Sequence, residues 1–161
     1  MLAEQHKIEH IERTYDTDLV RSILSDPELL KRAGGLPVEV YDPANQSDII
    51  YLLPQIENEP VGVTVLHYFS SPICLQIHVN YKSDMWGKNL NRFSDMALDW
   101  VWNNTDAEKV VAFAPDCYPE VKAHAEKSGM KSEGYLKNAT KYNGELINQH
   151  IMGVSRCRQQ Q

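Results

Sequence analysis

The segment ICLQIHVNYKSDMWGKN, Ile73 to Asn89, holds the residues best suited to chemistry. Its first half alternates Ile73, Leu75, Ile77 and Val79 with Cys74, Gln76, His78 and Asn80. A period of two marks a strand, so an amide, an imidazole and a second amide line up on one face. In that row only His78 can accept a proton near neutral pH. A partly covered, solvated strand face has the same composition. The second half is a polar loop with one glycine, Gly87, then Lys88, and a helical pattern follows. A loop that enters a helix leaves backbone N–H groups unpaired at the positive end of the helix dipole. Such a place can hold a pyrophosphate, with Gly87 permitting close approach and Lys88 adding charge. A glycine at a helix start is also compatible with nothing more than a helix start.

Other reactive side chains are less well placed. Tyr118, Tyr135 or Tyr142 could donate a proton, and nothing in the sequence singles one out. His124 and His150 have no partner at metal-ligand spacing and read as structural, and Cys74, Cys117 and Cys157 form no CxxC pair, so no metal is expected. Cys117 reads as a small buried residue. Trp86 could cover a ligand or anchor a partner protein.

The elements that must position these groups follow from periodicity. Residues 7–15 read as a strand. Asp16 and Thr17 can cap a helix carrying Leu19, Val20, Ile23 and Leu24, and Pro27 splits it from a second helix recapped by Asp26 and ended by Gly34-Gly35. Residues 36–47 read as a loop, and 49–56 and 61–69 as a hairpin around Glu57-Asn58-Glu59. After the strand over 73–81, Leu90, Phe93, Ala97 and Val101 predict a helix from Lys88 to Asn104, with Trp100 widening its apolar stripe. Residues 108–115 suit a strand buried on both faces. A helix over 119–128 ends at Gly129, and a last hairpin joins 130–139 to 145–154 through Asn143-Gly144. A helix between strands 73–81 and 109–114 implies that those two pair in parallel. The fold class is α/β (α+β), a mixed central sheet of about six to seven strands with helices on both faces.

The chain has 161 residues, enough for one domain, read as 1–156 with a short tail at 157–161. Its 22 acidic and 16 basic side chains give a net charge of −6, which argues against gripping nucleic acid through phosphates. An acidic cleft would suit an amine-bearing substrate. The N-terminal segment has no signal-peptide core and no apolar run reaches the roughly 20 residues needed to cross a bilayer, so a cytoplasmic protein without a membrane partner is expected.

The order of elements, together with the loop and its helix, resembles the GNAT superfamily of acyl-CoA-dependent N-acyltransferases over nearly the whole chain. That family's loop reads Arg/Gln-x-x-Gly-x-Gly/Ala and wraps the CoA pyrophosphate. The aligned stretch is Asp84-Met85-Trp86-Gly87-Lys88-Asn89, in which Gly87 matches while Asp84 and Asn89 depart. The cadence of residues 123–156 also resembles the family, with Gly129-Met130 for its Gly-Phe; Tyr118 stands at the usual Asn and Ala125 at the usual general-acid Tyr. The segments TYDTDLVRSILSDPEL, QIHVNY, ALDWVWNNTDAEKVV and HAEKSGMKSEGYLKNATKYNGEL are similar to a phage-encoded GNAT-like branch that includes head-assembly and internal-virion proteins of short-tailed phages.

The resemblance implies acetyl-CoA as cofactor, with Trp86, Gly87, Lys88, Asn89 and Leu90 on its pyrophosphate and the main chain of Val79, Asn80 and Tyr81 along its pantetheine arm. It implies a base near Gln76, where His78 is the available group, and an acid, for which Tyr118 is a candidate. The acceptor would be a small amine or a protein N-terminus. The other outcome is a scaffold that keeps the fold without chemistry, partnered by phage structural proteins or by copies of itself.

Overall fold

The computed structural model describes residues 7–32 and 48–157. The predicted Gly34-Gly35 stop and the 36–47 loop lie outside the described residues.

The elements run β1 (Glu9–Thr14), α1 (Thr17–Leu24), α2 (Pro27–Arg32), β2 (Ile49–Ile56), β3 (Glu59–Pro60), β4 (Gly62–Tyr68), β5 (Cys74–Tyr81), α3 (Asn91–Asn104), β6 (Lys109–Pro115), α4 (Pro119–Lys127), β7 (Lys131–Tyr142) and β8 (Glu145–Ser155). They form one mixed sheet in the order β1-β2-β4-β5-β6-β8-β7, and the two-residue β3 brings the strand count to eight, above the six or seven expected. All neighbours are antiparallel except β5 and β6, the parallel pair implied by the intervening helix.

Local chemistry explains the element ends. Asp16 caps α1 by accepting from the Leu19 N–H at 3.0 Å, and Asp26 accepts from Glu28 N–H at 2.9 Å as α2 begins behind Pro27. Both hairpin turns carry two consecutive residues of positive φ, Glu57-Asn58 (52° and 66°) and Asn143-Gly144 (49° and 81°), the geometry whose twist suits antiparallel strands. The last hairpin is longer than predicted because β7 passes through an irregularity between Leu136 and Thr140, where Asn138 has φ 55°, and then resumes pairing.

Alternate residues of the central strands bury opposite faces. Ile50, Leu52, Leu66, Leu75 and Ile77 pack with Ala97, Leu98 and Val101 of α3 and with Ala125 of α4. Tyr51, Leu53, Val63 and Val65 pack with Val20, Ile23 and Leu24 of α1. Helices therefore cover both faces. Trp100 and Trp102 pack against the first cluster, and the Arg156 guanidinium lies 5.3 Å from the Trp102 ring centroid. Arg156 also donates to the carbonyls of Trp102, Thr105 and Ala107 at 2.7–2.9 Å, closing the end of α3. Ile73, assigned to the strand by alternation, lies before it and is exposed.

A third, smaller cluster of Val61, Met85, Leu90 and Phe93 anchors the loop after β5 at both of its ends. Here the expected helix start at Lys88 is corrected. Ser83–Met85 form a 3-10 turn, Gly87 sits at φ +82°, and α3 begins only at Asn91 behind Leu90. Apolar spacing runs through Leu90, but the left-handed turn at Gly87 delays the helix by three residues.

Candidate active site

The parallel ladder between β5 and β6 covers three residue pairs, Cys74–Gln76 against Lys109–Val111. Beyond them each strand follows its other neighbour: β5 stays paired with β4 out to Tyr81, and β6 stays paired with β8 out to Pro115. The sheet parts along Ile77–Tyr81 on one side and Ala112–Pro115 on the other. A cleft of about 850 Å³ occupies the gap, within the range of small-molecule and cofactor sites. Its inner wall is apolar, from Ile77, Leu98, Ala112, Val121, Ala125 and Met130, and its mouth is formed by the loop ahead of α3 and the start of α4.

Val79, Asn80, Tyr81, Trp86, Gly87, Lys88 and Leu90 all line this cleft, as do His78 and Tyr118, so the structure brings these sequence candidates together. Asn89 does not line it. Its Oδ1 accepts from the Asn91 side-chain Nδ2 at 3.1 Å and from the Asn91 backbone N–H at 3.4 Å, bracing the first turn of α3. Among the described residues, the backbone N–H groups of Gly87, Asn89, Leu90 and Arg92 have no acceptor. The Trp86 ring is fixed by its Nε1–H donating to Tyr81 O at 3.0 Å. Among the described residues, two cations, Arg32 and Lys88, line the cleft against one carboxylate, Glu120, in a chain whose net charge is −6. The net acidity of the chain is therefore not repeated among these lining residues, and the lining favours an anionic ligand.

His78 opens onto the cleft and stacks on His67, ring centroids 5.2 Å apart. The amide nitrogen of buried Gln76 lies 2.8 Å from His78 Nε2; an amide nitrogen only donates, so Nε2 accepts and the ring proton sits on Nδ1. Surrounding protein and then the neighbouring His67 lower the His78 pKa from 6.5 to about 4. Solvent in the open cleft reaches the ring and moderates the first effect, and either way the imidazole is neutral at pH 7.

Tyr118 occupies the N-cap of α4, its ring edge-on to Tyr142 at 5.6 Å. Among the described residues its hydroxyl has no hydrogen-bond partner, and burial raises its pKa, so it is a protonated donor facing the cleft. Tyr135 is engaged elsewhere, donating to Asp116 and accepting from Asn148.

Sequence reasoning missed four lining residues that bear on chemistry: Arg32, Ser94, Glu120 and His124. His124, read as structural, hydrogen-bonds Ser94 at 2.5 Å, and its ring meets Tyr81 edge-on at 6.1 Å. Burial and then Lys127 lower the His124 pKa, while burial pushes Tyr81 up to about 12 as its hydroxyl donates to Leu90 O. The repeat Leu90, Ser94, Leu98 at steps of four was a usable signal for Ser94; none marked Arg32. Cys117 is half-buried and does not line the cleft. Among the described residues no group of three or more His, Cys, Asp or Glu could hold a metal ion, and no helix is long and apolar enough to cross a membrane.

No family model matches the chain, and no curated protein matches it. Solved structures do. Spermidine N-acetyltransferase from Vibrio cholerae, in complex with CoA and spermine, superimposes with a TM-score of 0.77 at 12% identity, over 91% of this chain and 95% of that one. A GNAT-family acetyltransferase from Bacillus anthracis gives 0.59 at 17% identity, over 67% of this chain and 66% of that one, just under two thirds of its length. The microcin C7 self-immunity acetyltransferase MccE, in complex with acetyl-CoA and AMP, gives 0.60 at 16% identity, over 68% of this chain and 62% of that one. Similarity at these identities carries architecture: the chain has the fold of the GNAT acetyltransferases.

Proposed function

We propose that the cleft binds an acyl-coenzyme A thioester and that the chain transfers the acyl group to an amine. The observation that carries this reading is the parting of β5 from β6 beside a loop and helix start whose Gly87, Asn89, Leu90 and Arg92 N–H groups have no acceptor among the described residues, with a cationic lining there. Gly87 and Leu90 would hold the phosphates through main-chain donors, Lys88 through its ammonium and Trp86 by its ring beside them, and the edge of β5 along Val79, Asn80 and Tyr81 would hold the pantetheine amides. Asn89 serves this site from behind, by bracing α3. The thioester supplies an activated acyl group when bound.

The chain's own acid–base groups are modest. His78 is neutral and faces the cleft; its one basic nitrogen, Nε2, can take a proton from the acceptor amine only when the Gln76 amide releases it. Its low pKa and the engagement of Nε2 by Gln76 make it a weak base. Tyr118 can return a proton to the leaving thiolate. Acceptors that are already neutral amines, small molecules or protein N-termini, suit such a site. Titration calorimetry with acetyl-CoA tests the reading. Micromolar binding that is lost in Gly87→Val supports it, because Gly87 has φ +82° and nothing within 4 Å of an added Cβ, so the variant strains the loop without crowding the core. Wild-type protein that gives no heat at millimolar acetyl-CoA refutes it.

A second reading is favoured by one surface. The β7–β8 hairpin exposes Tyr135, Leu136, Tyr142 and Leu146, and Gln76 and Ala125 supply neither base nor hydroxyl. These support a non-catalytic assembly role, of the kind held by the phage head-assembly and virion proteins that the sequence resembles, or self-association through the hairpin.

A further inference from the structure

Helix α2 ends at the mouth of the cleft in Arg32. Its guanidinium carbon lies 4.1 Å from the Trp86 ring centroid and 4.8 Å from that of Tyr118, and Nη1 lies 3.3 Å from Glu120 Oε1. Each aromatic is itself held, Trp86 by its bond to Tyr81 O and Tyr118 by the edge of Tyr142. A planar cation thus lies against two positioned rings, close to the loop whose Gly87, Asn89 and Leu90 N–H groups have no acceptor among the described residues, within reach of a ligand there. Among the described residues of the cleft lining the charge opposing it is Glu120, and both side chains of that pair remain substantially solvated, at 39% and 55% exposure. A solvated ion pair is weak and easily exchanged, whereas a guanidinium offers a phosphate two parallel donors.

We propose that Arg32 is the mobile cation of this cleft: it rests on Glu120 while the cleft is empty and moves to the phosphates of an anionic ligand when the cleft fills. The proposal rests on the acyl-CoA reading for the identity of that ligand. Glu120 is then an internal competitor, and removing either partner shifts affinity in opposite directions. A merely structural ion pair would not behave so.

The experiment is calorimetric titration of acetyl-CoA into wild type, Arg32→Ala, Arg32→Lys, Glu120→Gln and the Arg32→Ala/Glu120→Gln double variant, at low and high salt, with thermal unfolding as the check on folding. The expected results are about tenfold weaker binding or more for Arg32→Ala, with a shallower salt dependence. Arg32→Lys recovers part of the loss because an ammonium cannot make the paired contact. Glu120→Gln binds a few-fold more tightly than wild type, and the double variant binds better than Arg32→Ala. Should Arg32→Ala unfold, Glu120→Gln decides alone, since it removes only a charge. Wild-type affinity in both single variants overturns the role of Arg32 and leaves the acyl-CoA reading standing. Absence of binding in the wild type overturns both.

Discussion

Gly62 is the position where one methyl group tests the geometry of the cleft most sharply. It opens β4 opposite Tyr81, and a Cβ built there would lie 2.1 Å from Asn80 O and 2.9 Å from Tyr81 Cα. The first contact is about 0.9 Å inside the 3.0 Å that real Cβ atoms respect. Both neighbours are backbone, so no side chain can swing away; β5 must move toward the gap. Its φ is not in the left-handed region, so the backbone conformation itself would accept alanine. Alanine would even lower the entropy of the unfolded chain, worth about 0.4–1 kcal/mol. Overpacking against a strand costs about 1–3 kcal/mol, and a clash of this depth belongs at the upper end. The net loss is about 2 kcal/mol, or roughly 4–8 °C in Tm for a chain of this size. Thermal unfolding of Gly62→Ala by circular dichroism measures this. Because the displaced residues are Asn80 and Tyr81, acetyl-CoA affinity should fall in the same variant. A Tm within 1 °C of wild type with unchanged affinity would refute the close approach of β4 to β5 and the use of the β5 edge.

Two other outcomes follow from single side chains. Arg156→Met should lower stability by about 2–3 kcal/mol in denaturant unfolding, because three carbonyls at the end of α3 lose a charged donor together; an unchanged midpoint would show that water replaces it. His78 should make stability fall as pH drops: its folded pKa, about 4, lies below the ordinary 6.5, so the unfolded chain binds the extra proton between those values. The wild type should lose stability from pH 6.5 toward 4, His78→Gln should lose less across that window, and parallel curves would contradict the shift.

Much of the architecture was readable because local and tertiary signals agreed. Pro27 behind Asp26, the Asn143-Gly144 turn and the apolar run of 109–115 each specify one structure, and the helix between two strands dictated their parallel pairing. The start of α3 was not readable from spacing, since Leu90 and Phe93 sit three residues apart whether or not the helix has begun. The backbone at Gly87 and the side chain of Asn89 decide that boundary. The parting of β5 and β6 left no mark either, because the alternation runs on past Gln76 and the apolar run past Val111; only the competing ladders to β4 and β8 reveal where their mutual pairing stops. Seven of the eight proposed ligand-holding positions nonetheless line the cleft, because strand alternation and the loop placed them. Arg32 and Glu120 reach the site from helices distant in sequence, and such a meeting has no local signature.

The most direct test of the central claim is residue-resolved amide hydrogen exchange with and without acetyl-CoA. If the gap between β5 and β6 takes the ligand, protection should rise at the amides of Ile77, Val79 and Tyr81, which alternate away from the ladder to β4, and at Gly87, Asn89, Leu90 and Arg92, which have no acceptor among the described residues. Saturating acetyl-CoA that leaves those amides unchanged, or protects only the β7–β8 hairpin, would contradict the account.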